Sequence, residues 1–384
     1  MDLIVALDRL TTPGGPQTYS LTIAEQLVQL GHHVTLFARE LGPMAQLARD
    51  RRLIVASGPQ DLPERADGVI VGVDRSLAVE LAGRYPAAVR VFVIHGVDEI
   101  HLPAPIDGIV AATVALNQRS ASRARSCVGA GEIVRLRQPV DLRRFGARGK
   151  PAAQPGRVLL LGNYHRGGSS RAEILEAAWL HARLEWLHVG HPEPQLEFQS
   201  AMWGVDIVVG YGRSIVEAMA SGKPAYVFDH AGGDGWITPE SYPRIEAAGF
   251  SGLSDAQPAD AVRLRADLDA YDPDLGRLGH DLARVHHDVR QHADELVALL
   301  RRLAPEPPPI ERSALRALAL LTEAQMRAEI AREHNRQETR LWFDRAQSLN
   351  ADLAALRAMR RFRIMRALAR PIDSLRRRLP CGRR

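Results

Sequence analysis

The sequence predicts an α/β protein with two Rossmann-like domains that face a crevice, followed by a helical basic tail. Short runs of β-branched residues alternate with amphipathic segments along most of the chain. A segment rich in Gly, Pro and Ala, residues 146–156, interrupts this alternation, and a proline cluster at residues 305–309 ends it. Strands that alternate with helices form parallel sheets covered on both faces, so we expect one such sheet on each side of the interruption.

The first predicted domain spans residues 1–150. Its strand candidates are short and apolar, and the amphipathic segment Gln17–Leu30 places apolar residues at helical spacing after the first of them. We expect these strands to form one parallel sheet. The candidates are Leu3–Leu7, Val34–Ala38, Arg52–Ala56, Gly68–Val71, Val89–Ile94, Gly108–Ala111 and Ile133–Leu136.

The second predicted domain spans residues 151–304, where the same alternation starts again. A helix is expected near Arg171–Ala182. Ligands in open parallel sheets bind outside the carboxyl ends of the strands, so the crevice between the domains is the expected binding site. The strand candidates are Val158–Leu161, Glu185–Val189, Val205–Val209 and Ala225–Phe228.

Residues 305–384 form the predicted tail. Consecutive prolines cannot continue a helix, but the chain from Ser313 to about Arg370 contains neither Gly nor Pro and predicts a long helix. Within it, apolar residues alternate at spacings of four and three over about two heptads, as in a coiled-coil seam. Self-association through residues 313–360 is therefore a candidate interaction. The seam residues are Trp342, Ala346, Leu349, Leu353 and Leu356.

Charge is divided unevenly along the chain. From residue 305 onward there are 18 arginines and 9 acidic residues, whereas the rest carries 32 basic and 36 acidic residues. Residues 357–384 alone hold eleven arginines and one acidic residue, interleaved with apolar side chains. Such a segment is typical of a helix in an anionic membrane interface, which we expect it to bind. A solvated tail, or one docked on the acidic body, is the alternative.

The composition argues against several other classes of protein. The amino terminus lacks the positive segment of a signal peptide, and no run approaches the length of a membrane span, so we expect a cytoplasmic protein, at most peripheral on the inner membrane face. The acidic body and its few aromatic residues argue against nucleic-acid binding.

No metal and no other cofactor is expected. Three histidines, at positions 165, 188 and 191, lack metal-ligand spacing. Four more, His280, His286, His287 and His292, are expected on a polar helix face.

The stretch Gly210–Pro224 sits between two apolar runs and allows two interpretations. Ser214 and Glu217 fit a capping box, in which each side chain bonds the backbone of the other and no ligand is needed. Alternatively, Gly212 and Ser214 contact the donor, and the helix start directs backbone N–H groups toward its diphosphate. Arg213 would then bind phosphate oxygens, and the Glu217 carboxylate would accept from the hydroxyls of a ribose.

Motifs in a fixed order resemble the retaining glycosyltransferases of the GT-B fold, and particularly glycosyltransferase family 4. The resemblance covers roughly residues 1–300. The similar segments are Thr12-Pro-Gly14-Gly15, Gly31-His-His-Val34, Gln138-Pro-Val-Asp141-Leu-Arg-Arg-Phe145, Leu161-Gly162 and Glu217-Ala-Met-Ala-Ser-Gly222-Lys-Pro224.

The resemblance implies roles for several residues. Gly14 and Gly15 would lie against the donor phosphates, and Glu217 would hold the ribose. His95 follows a predicted strand, as does the family's active-site histidine, which contacts the donor sugar. Arg166 would stand for the lysine that offsets the charge of the diphosphate.

The sequence also departs from the family. Family 4 has a second glutamate eight positions before the one that matches Glu217, but here that position is Val209. Asn163 replaces the family's arginine after the strand that opens the second domain and is a candidate donor contact in its place. Asp234 or Glu240, in and after a Gly-rich loop, could supply the missing contact with the donor sugar.

These observations predict a glycosyltransferase that moves a sugar from a nucleotide-activated donor to a glycan or a lipid-linked acceptor, by a retaining mechanism without a metal. Another enzyme of this fold, such as an epimerase or a polyol-phosphate transferase, would share the nucleotide contacts. A catalytically silent relative that binds nucleotide or glycan is the third hypothesis. The substitution at Val209 favours the second and third hypotheses modestly.

Overall fold

A computed structural model describes residues 1–98, 101–104, 106–162, 170–190, 195–228, 232–255, 260–305, 308 and 310–358. The chain forms two compact units, residues 1–324 and residues 325–384. The larger unit contains two sheets, and the smaller one continues a long helix. Asn163, Arg166 and residues 359–384, which include nearly all of the predicted membrane-binding segment, lie outside the described residues.

The first sheet has seven parallel strands in the order β3-β2-β1-β4-β5-β6-β7. All six residues of β5 are buried, as expected for a strand covered on both faces. The strands are β1 Asp2–Leu10, β2 His33–Leu41, β3 Ile54–Ala56, β4 Gly68–Gly72, β5 Val89–Ile94, β6 Ala112–Ala115 and β7 Glu132–Arg135. The helices between them are α1 Gly15–Gln29, α2 Pro43–Asp50, α3 Arg75–Arg84 and α4 Gln118–Ala124.

The second sheet has five strands in the order β12-β11-β10-β8-β9, parallel except for β12, which runs antiparallel to β11. Its strands are β8 Arg157–Leu161, β9 Glu185–Val189, β10 Ile207–Gly210, β11 Ala225–Phe228 and β12 Gly233–Trp236. The helices that follow β8 are α5 Ser170–Trp179, α6 Gln199–Trp203, α7 Arg213–Ala220, α8 Tyr242–Ala247, α9 Ala261–Asp269, α10 Asp274–His286, α11 Val289–Arg302 and α12 Arg312–Ala358.

The prediction of a strand at Gly108–Ala111 is wrong. The sixth strand begins at Ala112, directly after the predicted range ends. Gly108 adopts a left-handed φ of +77°, which is incompatible with a strand. The buried guanidinium of Arg90 donates hydrogen bonds to the carbonyls of Ile109 at 2.7 Å and Gly108 at 3.1 Å, and so holds this segment as a loop.

Helix α11 returns to the first sheet, although it follows the second sheet in the chain. Val289, Ala293 and Leu296 are buried in the same apolar cluster as β1 and α1. Leu315 and Ala319, near the start of α12, join the cluster on the opposite face of that sheet. We call the first sheet with α1 to α4 and α11 the first lobe, and the second sheet with α5 to α10 the second lobe.

Two segments connect the lobes. Residues 136–141, called the connector, leave β7, and residues 287–288 lead back from α10 to α11. These segments pair with each other, since Val140 N–H donates to the carbonyl of His287 at 2.8 Å and Val289 N–H donates to the carbonyl of Val140 at 3.1 Å. The connector is therefore fixed to the start of α11.

In the smaller unit, α12 continues as far as Ala358, so the predicted long helix is present as far as the description extends. Trp342 is 73% exposed there. No helix in the described ranges combines the length and the apolar character needed to cross a bilayer.

Candidate functional site

A cavity of about 780 Å³ lies between the lobes, where the carboxyl ends of both sheets meet. Its first-lobe wall includes residues that follow β1, β5 and β6, and its second-lobe wall includes residues at the ends of β8, β9 and β10 and after α8. Gln138 of the connector also lines it. This is the position at which open parallel sheets bind ligands. The predicted site residues among those that line it are Gly14, Gly15, His95, Gly212, Arg213, Ser214 and Glu217.

The glycines at the two helix starts leave the backbone accessible. Gly14 is the N-cap of α1 and Gly212 the N-cap of α7, and neither helix has a side-chain cap. Gly212 has φ 58° and ψ −129°, a backbone conformation that residues other than glycine rarely adopt. A Cβ atom added at Gly15 or Gly212 would meet no heavy atom within 4 Å. Both sites can therefore accept a ligand close to the backbone N–H groups.

The capping box at Ser214 and Glu217 is absent. Ser214 Oγ accepts from the N–H of Tyr211 at 3.1 Å and donates to the Tyr211 carbonyl at 2.7 Å. The reason is that α7 begins after Gly212, so Ser214 lies inside the helix rather than at its cap. The interpretation of this pair as a local cap was wrong.

Glu217 instead forms a buried ion pair with Arg213, one helical turn earlier. Arg213 Nε donates to Glu217 Oε1 at 2.7 Å, and the two side chains are 9% and 4% exposed. Burial raises the pKa of the Glu217 carboxyl, and the neighbouring Arg213 opposes this shift. The pair places one anionic group and one cationic group together on the second-lobe wall of the cavity.

Arg213 also connects this wall to the rest of the molecule. Its Nη1 donates to the Pro139 carbonyl in the connector at 2.9 Å, and its Nη2 donates to Thr22 Oγ1 on α1 at 3.1 Å. Thr22 Oγ1 donates in turn to the Thr18 carbonyl at 2.7 Å, which leaves its lone pairs for the guanidinium. One side chain thus bridges both lobes and the connector.

His95 lies on the first-lobe wall, directly after β5. Its Nε2 is buried and has no hydrogen-bond partner among the described residues. Burial, and to a smaller extent the charges of His101, Arg213 and His292, lower the pKa of His95 to about 3. The ring is therefore neutral at pH 7, with one nitrogen that donates and one that accepts, which suits a hydroxyl group of a ligand.

The structure places Asp234 and Glu240 elsewhere, and neither lines the cavity. Asp234 Oδ1 accepts from the N–H groups of Ser254 and Asp255, both at 2.9 Å, and so closes a loop. Glu240 is exposed and accepts from Thr238 Oγ1 at 2.8 Å. Val209 is fully buried in β10.

Two buried histidines were misplaced by the sequence analysis. His287 and His292 were expected on a polar helix face, but they are 1% and 5% exposed. His292 is buried because α11 packs on the first sheet, and His287 because it follows the end of α10 and bonds Tyr242 and the Gln138 carbonyl. A local helical pattern shows neither contact. Phe250 was also missed. It lines the cavity with a left-handed φ of 55°, and its carbonyl accepts from Gly212 N–H at 2.7 Å.

No group of three or more His, Cys, Asp or Glu side chains suited to a metal ion occurs in the part of the chain that the structure describes.

The fold is that of known glycosyltransferases. HepE of Anabaena, in complex with UDP and glucose, is 13% identical with a TM-score of 0.54, over 78% of this chain and 99% of that one. A glycosyltransferase from Rickettsia africae is 14% identical with a TM-score of 0.54, over 78% of this chain and 97% of its own. AviGT4, a glycosyltransferase involved in avilamycin A biosynthesis, is 14% identical with a TM-score of 0.53, over the same shares.

These likenesses confirm the predicted GT-B fold, with two Rossmann-like lobes around a crevice. No protein-family model and no curated protein sequence matches the chain.

Proposed function

We propose that the chain is a glycosyltransferase that moves a sugar from a nucleotide-activated donor to a glycan or a lipid-linked acceptor. The observation that carries the proposal is the cavity between the lobes, which gathers seven residues singled out in the sequence as donor contacts. HepE, which shares the fold, holds UDP and glucose.

The second-lobe wall fits the nucleotide. α7 has no side-chain cap, so the positive end of the helix is open to a diphosphate, although Gly212 N–H already donates to Phe250 and Ile215 N–H to Gly212. Glu217 would accept hydrogen bonds from the ribose hydroxyls. Gly14 and Gly15, at the start of α1, would lie against the phosphates from the first lobe.

The diphosphate also needs a cation, because it leaves with additional negative charge when the sugar is transferred. Arg213 lines the cavity and is the described cation nearest to the start of α7, being its first residue. It already bonds Glu217, Pro139 and Thr22. A diphosphate would therefore share or replace one of these bonds, and a metal ion would not be required.

His95 would contact the transferred sugar. A neutral imidazole is a hydrogen-bond partner rather than a proton donor of ordinary strength, so it would orient the sugar and leave stabilisation of the departing diphosphate to α7 and Arg213. A retaining transfer is proposed from the resemblance to family 4, with closure of the lobes excluding water from the reactive sugar.

The test is to incubate the purified protein with a panel of nucleotide sugars, with and without membranes as a source of acceptor, and to measure the nucleotide released. Turnover that survives EDTA and yields a product with the donor's anomeric configuration supports the proposal. Nucleotide binding without turnover would instead support a silent relative. Conversion of the donor's sugar without release would support an epimerase.

We also propose that residues 357–384 hold the enzyme at the cytoplasmic face of an anionic membrane, beside a lipid-linked acceptor. Support comes from the eleven arginines of this segment. The informative truncation is after Ala358, because Leu315 and Ala319 of the same helix are part of the first-lobe core. We expect the full chain to sediment with anionic but not with neutral vesicles, and the truncated chain to sediment with neither. Full-length protein that stays in the supernatant with anionic vesicles at low salt would contradict the proposal.

Self-association through residues 313–360 stays a proposal as well. Trp342, one of the seam residues, is 73% exposed in the described chain, so an apolar partner surface would bury it. Light scattering over a dilution series of the full chain and a Trp342→Ala variant tests this.

A further inference from the structure

A tyrosine and a histidine form a hydrogen-bonded chain behind the cavity in the first lobe. His292 Nδ1 lies 2.9 Å from the carbonyl oxygen of Arg137 in the connector, and His292 Nε2 lies 2.9 Å from the hydroxyl of Tyr19. A carbonyl only accepts, so Nδ1 carries the proton and Nε2 is the acceptor of the neutral ring. The Tyr19 hydroxyl therefore donates to His292 and is fixed, through it, to the connector.

The second lobe contains a matching chain. His287 Nδ1 lies 2.7 Å from the carbonyl oxygen of Gln138, and His287 Nε2 lies 3.0 Å from the hydroxyl of Tyr242. Because the Gln138 carbonyl only accepts, His287 Nδ1 carries the proton, and the Tyr242 hydroxyl donates to His287 Nε2. Two successive connector carbonyls are thus held by two neutral histidines, each tied to a buried tyrosine of a different lobe.

The two chains differ in what the tyrosine ring contacts. Tyr19 meets the ring of His95 edge to face, with centroids 4.9 Å apart and an interplanar angle of 77°. On another side of His95, a Cβ added at Gly72 would reach within 3.7 Å of Nε2. Tyr242 instead stacks on His286 at 5.5 Å and lies 6.4 Å from the ring of Phe250, a residue of the cavity wall. Of the two tyrosines, the one whose ring contacts His95 is therefore Tyr19.

We propose that Tyr19 is a positioning residue for His95, with its ring setting the orientation of the imidazole and its hydroxyl anchored through His292 to the connector. Tyr19 itself is 1% exposed and does not line the cavity, so it would act through His95 and not on a ligand. The inference rests on the proposed function only in assuming that His95 contacts the transferred sugar.

The physical reason is geometric. An aromatic edge contact alone leaves a ring free to slide, whereas a buried hydroxyl held by a neutral acceptor fixes the far end of the tyrosine. Small displacements of a group that contacts the reacting sugar reduce the rate, because the productive geometry is lost while the nucleotide remains bound.

The experiment compares Tyr19→Phe with Tyr242→Phe. Both variants keep the ring, remove one buried hydroxyl, and leave a histidine Nε2 without its donor, so comparable shifts in the urea midpoint are expected. The readout that separates them is the NMR signal of the His95 imidazole in the full chain, identified by its loss in His95→Gln. The groups around His95 are Tyr19, His101, Arg213 and His292.

At pH 7, Tyr19→Phe is expected to shift the His95 imidazole signals, because the ring that packs against His95 loses its anchor, whereas Tyr242→Phe leaves those signals unchanged. Turnover should fall about tenfold or more in Tyr19→Phe, with the KM for the donor nearly constant, and stay near wild type in Tyr242→Phe. Equal effects of the two variants on His95, or none from Tyr19→Phe, would overturn the proposal.

If Tyr19→Phe does not fold, His292→Phe with His287→Phe as its control makes the same comparison from the other end of each chain. The NMR arm needs no substrate. If the wild-type protein shows no turnover, the proposed function is refuted. The imidazole signals would still decide whether Tyr19 positions His95.

Discussion

Replacing Glu217 with alanine tests the ion pair on which the second-lobe wall depends. The carboxylate is 4% exposed and accepts from Arg213 Nε at 2.7 Å. Removing it leaves a guanidinium that is 9% exposed, with the Pro139 carbonyl and Thr22 Oγ1 as neutral acceptors. Loss of one partner of a buried ion pair lowers the free energy of unfolding by about 3–5 kcal/mol. Because two neutral acceptors still bond the guanidinium, we expect a loss at the lower end, about 3 kcal/mol.

A helix cap alone would be worth about 0.5–2 kcal/mol, so the size of the loss separates the two roles. The assay is urea unfolding of Glu217→Ala, Arg213→Met and the double variant. Because the pair is mutually dependent, the double variant should lose much less than the sum of the single losses. Glu240→Ala, at an exposed position in the same lobe, is the control and should change stability by less than about 0.5 kcal/mol.

The same variant tests the ribose contact. Binding of nucleoside diphosphates to Glu217→Ala should weaken about tenfold or more, since one lost charged hydrogen bond is worth about 1.5–3 kcal/mol. A 2′-deoxynucleoside diphosphate lacks one of the hydroxyls and should be affected less. A loss of stability below about 1 kcal/mol, additive with Arg213→Met, would refute the ion pair, and an unchanged nucleotide affinity in a folded variant would refute the ribose contact.

Two further predictions concern stability. Burial lowers the pKa of three histidines well below the ordinary value of 6.5, so the unfolded chain binds more protons than the folded one, and stability present above pH 6.5 is lost as the pH falls toward 4. The histidines are His95 at about 3, His287 at about 3 and His292 at about 4. These three histidines alone should take up nearly three protons on unfolding near pH 5, which lowers the free energy of unfolding by about 4 kcal/mol for each unit that the pH falls. The pKa values of His32, His101 and His286 are also lowered, and these residues add to the uptake. The urea midpoint should therefore fall with pH, and a midpoint independent of pH between 7 and 5 would contradict the prediction. Gly276→Ala should destabilise the protein by more than about 1 kcal/mol, because the new Cβ would lie 2.3 Å from the Gly222 carbonyl oxygen. Gly83 lies inside helix α3, and a Cβ there would have its nearest neighbour at 3.4 Å. Gly83→Ala should therefore be neutral or stabilising by about 0.5–1 kcal/mol. Equal melting temperatures for the two glycine variants would contradict that account.

The elements that could be predicted from the sequence are those whose signal is local. Leu3–Leu7 and Val89–Ile94 lie within observed strands because continuous apolar runs mark strands buried on both faces. The sixth strand was misplaced because the buried Arg90 side chain, and not the local pattern, decides where the loop ends. The antiparallel β12, Gly233–Trp236, was missed because a run with two glycines reads as a loop.

The site residues show the same division. His95 and Gly212 could be singled out because each follows an apolar run that forms a strand. The partner of Glu217 could not be predicted from the sequence. Ser214, three residues earlier, would pair with it in a capping box, and Arg213, four residues earlier, would pair with it along the helix. The choice depends on where the helix begins and on which side chains are buried. Tyr19 and His292 lie 273 residues apart, and no local pattern indicates that α11 returns to the first lobe.

The central claim is that a nucleotide-sugar donor binds between the lobes, and the most direct test is the structure of a complex. Thermal shift across nucleoside diphosphates selects the ligand, because a molecule that binds only the folded state raises the Tm. In the complex, we expect a diphosphate bonded to backbone N–H groups in the first turn of α7, with the ribose hydroxyls on Glu217. A nucleotide bound away from α7, or a protein whose Tm responds to none of these nucleotides, would contradict it.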